Sequence, residues 1–315
     1  MSPYWGANFF EFFYILIVRI AHWNFSTLAT DEVQIGVLGA VAVSCALLGP
    51  FLVLKRMAMF ANSLSHTILL GIAGAVLLLG GTAMFDLSHL LLGALIAAIA
   101  TAFFTEGLIK VFRLQEDASI GLVFTSLFAL GIVLVTLYTR DLHLGIESVM
   151  GNADALMPSD LRLAATLMLI NGCAIFLFFR HFQLASFDKS LAQTLGLRGG
   201  LFHFLLLFLA AATCIGAFRA VGVLLVLAFL VGPYLTARLF CHRLKYLLLW
   251  SALLGIGASL FGVALARHLL SVYDLPLSTG GIVACSIGLF YLIALAIRKI
   301  YLFTLARRCA IVNGA

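Results

Sequence analysis

The chain has 315 residues, of which 63% are hydrophobic and only 10% are charged, and its mean hydropathy is +1.16. A soluble globular domain has about 25% charged residues, so this composition excludes one and indicates an integral membrane protein. The apolar runs are continuous, which excludes a β-barrel, and the net charge of +6 lies mostly in short segments between them, which argues against nucleic-acid binding. The predicted fold class is therefore all-α, a polytopic bundle of transmembrane helices.

The N-terminal segment, residues 1–32, contains an apolar run at residues 7–20 that is short for a span and is interrupted by Glu11 and Arg19. We expect an amphipathic helix that lies in the membrane interface, with Trp5 and Trp23 as aromatic anchors. A tenth span is the alternative.

Nine longer apolar runs follow, and together they predict a transmembrane domain over residues 33–300 and a cytoplasmic tail over residues 301–315. The predicted spans are residues 33–54, 59–79, 87–109, 119–138, 161–179, 201–218, 220–240, 246–266 and 280–297. Alternating their direction places 14 of the 19 Lys and Arg residues on one side, which the positive-inside rule identifies as the cytoplasm. The longest outer loop, residues 139–160, has four acidic residues and one arginine, so it is either a docking surface or simply solvated.

The second predicted span carries Met59, Asn62, Ser65 and His66 close together. At about 1.5 Å per residue, His66 lies about halfway through a hydrocarbon core ~30 Å thick. Polar groups at that depth must face protein or water, and they often mark ion routes. These four residues are therefore candidates to line a translocation path. The alternative is that Ser65 and His66 only hydrogen-bond a neighbouring helix.

Two spans share a Gly-Pro motif, at Pro50 and at Gly232-Pro233. Proline removes a backbone donor and kinks or breaks a helix, and interrupted spans often line the place where cargo crosses a membrane. We expect helix breaks with a gating role at these positions. The alternative is that the prolines only shape packing.

A cytoplasmic loop at about residues 180–200 contains signals for a short amphipathic helix. Asp188 can cap its start, and Phe187, Leu191 and Leu195 are spaced four residues apart on one face. From the residues alone, this face could rest on lipid or on a partner protein.

Three segments, in this order along the chain, carry a resemblance to one family. Residues 56–66, RMAMFANSLSH, resemble the signature of the metal-ion ABC transporter permeases, the ABC-3 family of manganese, zinc and iron importers, in which an arginine and a short apolar step precede Asp, a small residue and Ser-His. Residues 187–197, FDKSLAQTLGL, are similar to the family's FDpxxAxxxGL segment. Residues 221–238, which run from VGVLLV to GP and AR, are similar to its VGxLLV…P…AR span.

The resemblance implies a permease subunit of a binding-protein-dependent importer in the bacterial inner membrane. The cargo would be a divalent ion of Mn, Zn or Fe, with no tightly bound cofactor. The partners would be a second permease chain, a cytoplasmic ATPase dimer that binds ATP, an extracytoplasmic metal-binding protein and membrane lipid. The chain would not be an enzyme, since it has no GxxxxGK[ST] loop. The implied ATPase-coupling residues are Phe187, Asp188, Leu191, Ala192, Leu195 and Gly196.

The chain departs from the family pattern at Asn62, where the family usually has Asp. An amide oxygen is a weaker ligand for a divalent cation than a carboxylate, whereas the imidazole of His66 suits Mn, Fe or Zn. This departure favours a heterodimer, in which a different permease chain supplies the acid, over a homodimer.

Two other classes of function compete with this interpretation. A secondary transporter driven by an ion gradient usually has an acidic residue deep in a span, but the acidic residues here lie near span ends or in loops, as Glu106 does beside Lys110. A membrane-embedded enzyme is less favoured, because the chain has no HExxH motif and the histidines other than His66 are scattered.

Overall fold

The computed structural model describes residues 3–4, 6, 8–21, 29–55, 57–79, 87–138, 151–187, 194 and 199–313. These residues form helices and connections without any strand, which confirms the all-α prediction. The helices are α1 Phe9–Ala21, α2 Thr30–Leu54, α3 Ala58–Leu79, α4 Leu87–Val111, α5 Glu116–Tyr138, α6 Pro158–Phe187, α7 Gly199–Val221, α8 Val223–Arg238, α9 Leu244–Tyr273 and α10 Thr279–Asn313.

Each predicted span coincides with one of the helices α2 to α10, but the predicted count of nine membrane-length spans differs slightly from the count in the described part of the chain. Within the described residues, seven helices are long and apolar enough to cross a membrane. The described apolar part of α3, Met59–Ala75, and helix α8 are shorter. Helix α8 is short because Gly222, with a φ of +83°, interrupts the helix between α7 and α8, and its 16 residues rise only about 24 Å.

Helix α2 is the centre of the bundle. In an apolar stretch of 18 residues in α2, 72% of the residues are buried, whereas only 17% are buried in the corresponding stretches of α5 and α6. Helices α6, α7, α8 and α9 pack directly on α2, while α3 packs mainly against α4 and α5. The apolar side chains on α5 and α6 that face away from the bundle suit contact with lipid tails or with another apolar chain.

Helices α3 and α4 approach each other so closely that only small side chains fit between them. A Cβ added at Gly71 would lie 2.3 Å from the carbonyl oxygen of Gly93 and 2.8 Å from the Cβ of Ala97. Small residues repeat every four positions on both helices, which places them on one face of each helix. They are Ser63, Thr67, Gly71 and Ala75 on α3, and Gly93, Ala97, Thr101 and Thr105 on α4. This contact fixes the position of α3.

Helix α1 packs against α9 through its aromatic side chains. The ring of Phe9 lies 5.6 Å from that of Phe261 on α9, and Phe12 is fully buried while Phe10 is 83% exposed. The 13 residues of α1 rise about 20 Å, too short to cross a hydrocarbon core of ~30 Å. The helix therefore fits the predicted interfacial element better than a tenth span.

The helix ends predicted to face outward are joined by charged and polar contacts. Arg267 of α9 pairs with Asp31 of α2, and Arg219 of α7 lies 3.6 Å from Asp160 of α6. Asp154 accepts a hydrogen bond from the backbone N–H of Thr279 at the start of α10. The first two contacts join α9 to α2 and α7 to α6, and the third joins the loop before α6 to α10.

Another outer contact joins α1 to α2. Arg19 bonds Glu32 at 2.5 Å, and the hydroxyl of Tyr4 donates to the same carboxylate at 3.0 Å. Burial, and then the hydrogen bond to Glu32, raise the pKa of the Tyr4 phenol, so Tyr4 remains a donor at neutral pH.

Candidate translocation site

The polar residues predicted to line a path lie on one side of α3, near its N-terminal end, which is predicted to face the cytoplasm. Met59 is 60% exposed, and Asn62 and His66 are half-buried. Leu64 and Ile68, by contrast, are buried in the core, as the helical spacing predicts. Met59, Asn62 and His66, which we call the α3 stripe, are therefore partly accessible in the single chain. Residues that serve only core packing would be buried.

Ser65 does not contribute to the stripe through its hydroxyl. Its Oγ donates to the backbone carbonyl of Asn62 at 2.6 Å, a bond within the same helix. This local bond satisfies the hydroxyl without a neighbouring helix. The role of Ser65 in a path stays a prediction.

The ring of His66 is held by aromatic contacts from α5. Its centroid lies 5.1 Å from that of Phe124 and 5.2 Å from that of Phe128, and these two rings stack on each other. No hydrogen bond from another described residue reaches the imidazole. Both ring nitrogens therefore remain available to an external group, which is the state that a transient metal ligand needs.

The described residues do not assemble a complete metal site. Among them, no group of three or more His, Cys, Asp or Glu side chains comes together. The stripe offers one imidazole, one amide and one thioether, a set of neutral donors.

The two Gly-Pro motifs lie close together, on α2 and α8. A Cβ added at Gly49 would lie 2.1 Å from the carbonyl oxygen of Leu230, two residues before Gly232, so glycine is required for this approach. Both Pro50 and Pro233 are buried, and each lies inside a helix that continues beyond it. Neither proline ends its helix in this structure. The gating role of Pro50, Gly232 and Pro233 stays a prediction.

The predicted coupling segment lies mostly outside the described residues. This applies to Asp188, Leu191, Ala192, Leu195 and Gly196. Phe187 is the last residue of α6 and is 60% exposed. Residues 180–187 are helical, whereas the sequence analysis placed them in a loop, because no glycine or proline stops the helix after residue 172 and α6 continues past a kink at Phe178.

Sequence reasoning missed a polar cluster near the C-terminal ends of α2 and α4 and the N-terminal end of α7, the ends predicted to face the cytoplasm. Glu106 pairs with Lys110 at 2.7 Å, as predicted, but it also bonds the Nε2 atom of His203 at 2.8 Å. The Nδ1 atom of the same ring lies 2.7 Å from the Nζ atom of Lys55. These residues are about 50 and 100 positions apart in the sequence, so no local pattern could identify the cluster.

Comparison with known proteins decides between the possible classes. Residues 31–298 match the family described as the ABC 3 transport family. This chain belongs to the ABC 3 transport family. It is 41% identical to a probable metal transport system membrane protein of Chlamydia muridarum, over 94% of both chains. It is 36% identical to the manganese transport system membrane protein MntD of Bacillus subtilis, over 80% of this chain and 86% of that protein.

The fold of this ABC 3 family chain is also similar to a solved structure. PsaBC from Streptococcus pneumoniae, in complex with Fab, matches with a TM-score of 0.67 over 85% of this chain and 92% of that one, at 22% sequence identity. Family membership makes the chain a multi-pass membrane permease, a transport subunit rather than an enzyme, whose ATPase is a separate chain. It therefore favours an ABC permease over the two competing classes.

Proposed function

We propose that this chain is the permease subunit of an ATP-driven importer for a divalent transition metal ion, and that the Met59, Asn62 and His66 stripe of α3 lines the path. The observation that carries the proposal is the half-buried His66, whose nitrogens have no partner among the described residues. The names of the manganese and metal-transport relatives support a metal as cargo.

The ligand chemistry of the stripe favours passage over storage. Imidazole nitrogen suits Mn, Fe and Zn, whereas the amide of Asn62 is a neutral and weaker donor than a carboxylate. A cation bound by so few neutral groups leaves readily, as conduction requires. A second permease chain then completes the coordination, and the absence of an acid at position 62 favours a different chain over a second copy.

The remaining parts of the proposed assembly are those expected of an ABC 3 family importer, whose ATPase is a separate chain. The proposed complex has two permease chains in a bacterial inner membrane, a cytoplasmic ATPase dimer that binds ATP, and an extracytoplasmic protein that delivers the ion. The segment from Phe187 to Gly196 is the proposed coupling helix, which seats in the ATPase and turns its motion into movement of the spans.

Reconstitution tests this proposal. The chain is co-expressed with candidate ATPase and permease partners, and the complex is placed in liposomes with a candidate binding protein. Uptake of radioactive Mn²⁺ and Zn²⁺ is then measured with ATP, with a non-hydrolysable analogue, and with a proton gradient alone. We expect uptake only with hydrolysable ATP. Uptake driven by the gradient without the ATPase would instead identify a secondary transporter.

A further inference from the structure

The inner ends of α8, α9 and α10, which are the ends predicted to face the cytoplasm, carry basic residues and no acidic ones. Those whose side chains the structure describes, which we call the basic rim, are Arg238, Arg243, Lys245, Arg298 and Lys299. Arg307 and Arg308 follow on α10. After Asp188, the only acidic residue in the sequence is Asp274, which caps the opposite end of α9.

Other inner ends carry acidic residues as well. Lys110 and Arg113, near the end of α4, are followed by Glu116 and Asp117 at the start of α5, and Lys110 is paired with Glu106. The members of the basic rim are all exposed, and none is paired with a carboxylate among the described residues. The positive-inside rule accounts for basic residues at inner ends but not for this uneven distribution of acids. The rim is therefore a concentration of uncompensated positive charge.

The packing of α8 on α9 brings the first three rim residues together. Ala237 of α8 and Leu247 of α9 belong to one buried apolar cluster. Arg238 follows Ala237 directly, and Lys245 lies within one turn of Leu247. Arg243 is the N-cap of the same helix. These three cations therefore lie at one edge of the bundle.

The contact between α9 and α10 brings Arg298 and Lys299 to a similar depth. These antiparallel helices approach closely at Gly262 and Val283, where an added Cβ would overlap the valine side chain. An equal count of residues from this contact toward the inner end reaches Tyr246 on α9 and Lys299 on α10. The rim residues therefore form one layer across the ends of the three helices.

Helix α10 is long enough to hold this layer at the lipid headgroups. Its 35 residues rise about 52 Å, against ~30 Å for the hydrocarbon core and ~40–45 Å for the whole bilayer. Counted from Thr279 at the outer end, Lys299 lies about 30 Å along the axis, at the inner edge of the hydrocarbon. From Leu295 to Thr304 the side chains are exposed, so this part of α10 is open to lipid in the single chain.

An exposed aromatic and apolar face adjoins the rim on α9. Tyr246, Leu249, Trp250 and Leu253 are exposed and recur every three or four residues, which places them on one side of the helix. Tyrosine and tryptophan are enriched where a membrane meets water. A layer of cations beside such a face matches a phospholipid, which joins a charged headgroup to apolar chains. An acidic protein surface would match the cations alone.

We propose that the basic rim binds the headgroups of anionic phospholipids, whose acyl chains lie along the exposed face of α9. The guanidinium groups can donate two parallel hydrogen bonds to a phosphate, and the lysines add point charges. Each basic residue near an anionic surface strengthens attachment by about fivefold. The inference goes beyond the proposed function and does not depend on the cargo.

Trp250 can report which lipids lie beside the rim. The other two tryptophans, Trp5 and Trp23, are replaced by phenylalanine, and the full chain is reconstituted in phosphatidylcholine bilayers. Brominated lipids, which quench tryptophan fluorescence on contact, are added as phosphatidylglycerol or as phosphatidylcholine. We expect phosphatidylglycerol to be favoured beside Trp250 by at least about fivefold. Equal quenching by the two lipids would overturn the proposal.

A matched reporter on another helix tests the location. Trp250→Phe is combined with Leu122→Trp, because Leu122 is the seventh residue of α5, as Trp250 is of α9, and the two are 55% and 50% exposed. Glu116 and Asp117 lie at this end of α5, so phosphatidylglycerol should not be favoured there. A preference of the same size at both positions would show only a general attraction to the protein and would overturn the proposal.

Removal of charge tests the rim itself. Arg243→Gln with Lys245→Gln should lower the preference at Trp250 by at least about fivefold, and both side chains are exposed. Salt at 1 M, where the Debye length is about 3 Å, should weaken the preference of the unsubstituted rim, which tests the same charges without any change of sequence. A preference indifferent to both changes would overturn the proposal.

The same measurement on the complex with candidate permease and ATPase partners separates lipid from protein as the occupant. Preferential quenching by phosphatidylglycerol should persist in the complex. If the partners abolish quenching of Trp250 by both lipids, the rim is a protein contact and the proposal fails. Because no step requires transport, failure of ATP-dependent metal uptake would refute the proposed function and leave this result unchanged.

Discussion

The close contact between α3 and α4 gives the sharpest prediction for stability. In Gly71→Ala, the new Cβ would lie 2.3 Å from the carbonyl oxygen and 2.7 Å from the carbonyl carbon of Gly93. Both are backbone atoms that cannot rotate away, so the two helices must separate by about 1 Å, and overpacking of this kind costs about 1–3 kcal/mol. Alanine favours a helix over glycine by about 0.5–1 kcal/mol, which leaves a net loss of stability of about 0–2.5 kcal/mol.

Gly74→Ala is the matched control. Gly74 lies on the same helix, and a Cβ added there meets nothing within 4 Å. It should gain the helix preference alone. Since Gly71→Ala gains the same preference, the two variants should differ by the overpacking cost, about 1–3 kcal/mol in the free energy of unfolding. Thermal unfolding of each purified variant in the same detergent measures this difference. Gly71→Ala with a midpoint equal to or above that of Gly74→Ala would refute the close approach of α3 and α4.

Three further substitutions test other parts of the account. His66→Ala should lower metal uptake by at least about tenfold with assembly intact, because loss of even an outer-sphere partner of a metal ligand typically lowers metal affinity or activity by ~10–100-fold. The control His242→Ala, at an exposed histidine after α8, should not lower uptake. Normal uptake by His66→Ala would make His66 a packing residue. Arg267→Met should destabilise the protein by about 3–5 kcal/mol, because it takes the guanidinium from buried Asp31, and an unchanged denaturation midpoint would contradict that pairing. Leu191→Asp should weaken co-purification with the ATPase, whereas Gln193→Asp, outside the apolar face of the predicted coupling helix, should not. Equal recovery of the ATPase with both variants would reject the coupling helix.

The helices could be predicted from sequence because continuous apolar runs leave a membrane chain few other structures. Their ends were harder to predict. The break between α7 and α8 occurs at Gly222, where the backbone takes a positive φ, rather than near residue 219. Similarly, α6 extends to Phe187 because arginine, the residue at position 180, is a good helix former and does not stop a helix.

The candidate site divides in the same way. Asn62 and His66 are four residues apart on one helix, so the sequence could predict that they lie on the same side of it. The Phe124 and Phe128 rings that hold His66 belong to another helix, and nothing local to α5 identifies them as its partners. The cluster of Lys55, Glu106 and His203 depends on three helices meeting, which only the tertiary structure reveals.

Access of water to the α3 stripe is the most direct test of the claim that it lines a cation path. The native cysteines are replaced by serine, and Met59→Cys is introduced, which leaves Asn62 and His66 in place. In the assembled complex, the rate at which the new thiol reacts with a membrane-impermeant, charged thiol reagent is then measured with and without Mn²⁺. Leu169→Cys on α6 is the control, at a residue that is likewise more than half exposed in the single chain, 67% against 60% for Met59. The account predicts that Met59→Cys reacts, that Mn²⁺ slows it, and that Leu169→Cys does not react. A Met59→Cys thiol as unreactive as the control, or one indifferent to Mn²⁺, would contradict the account.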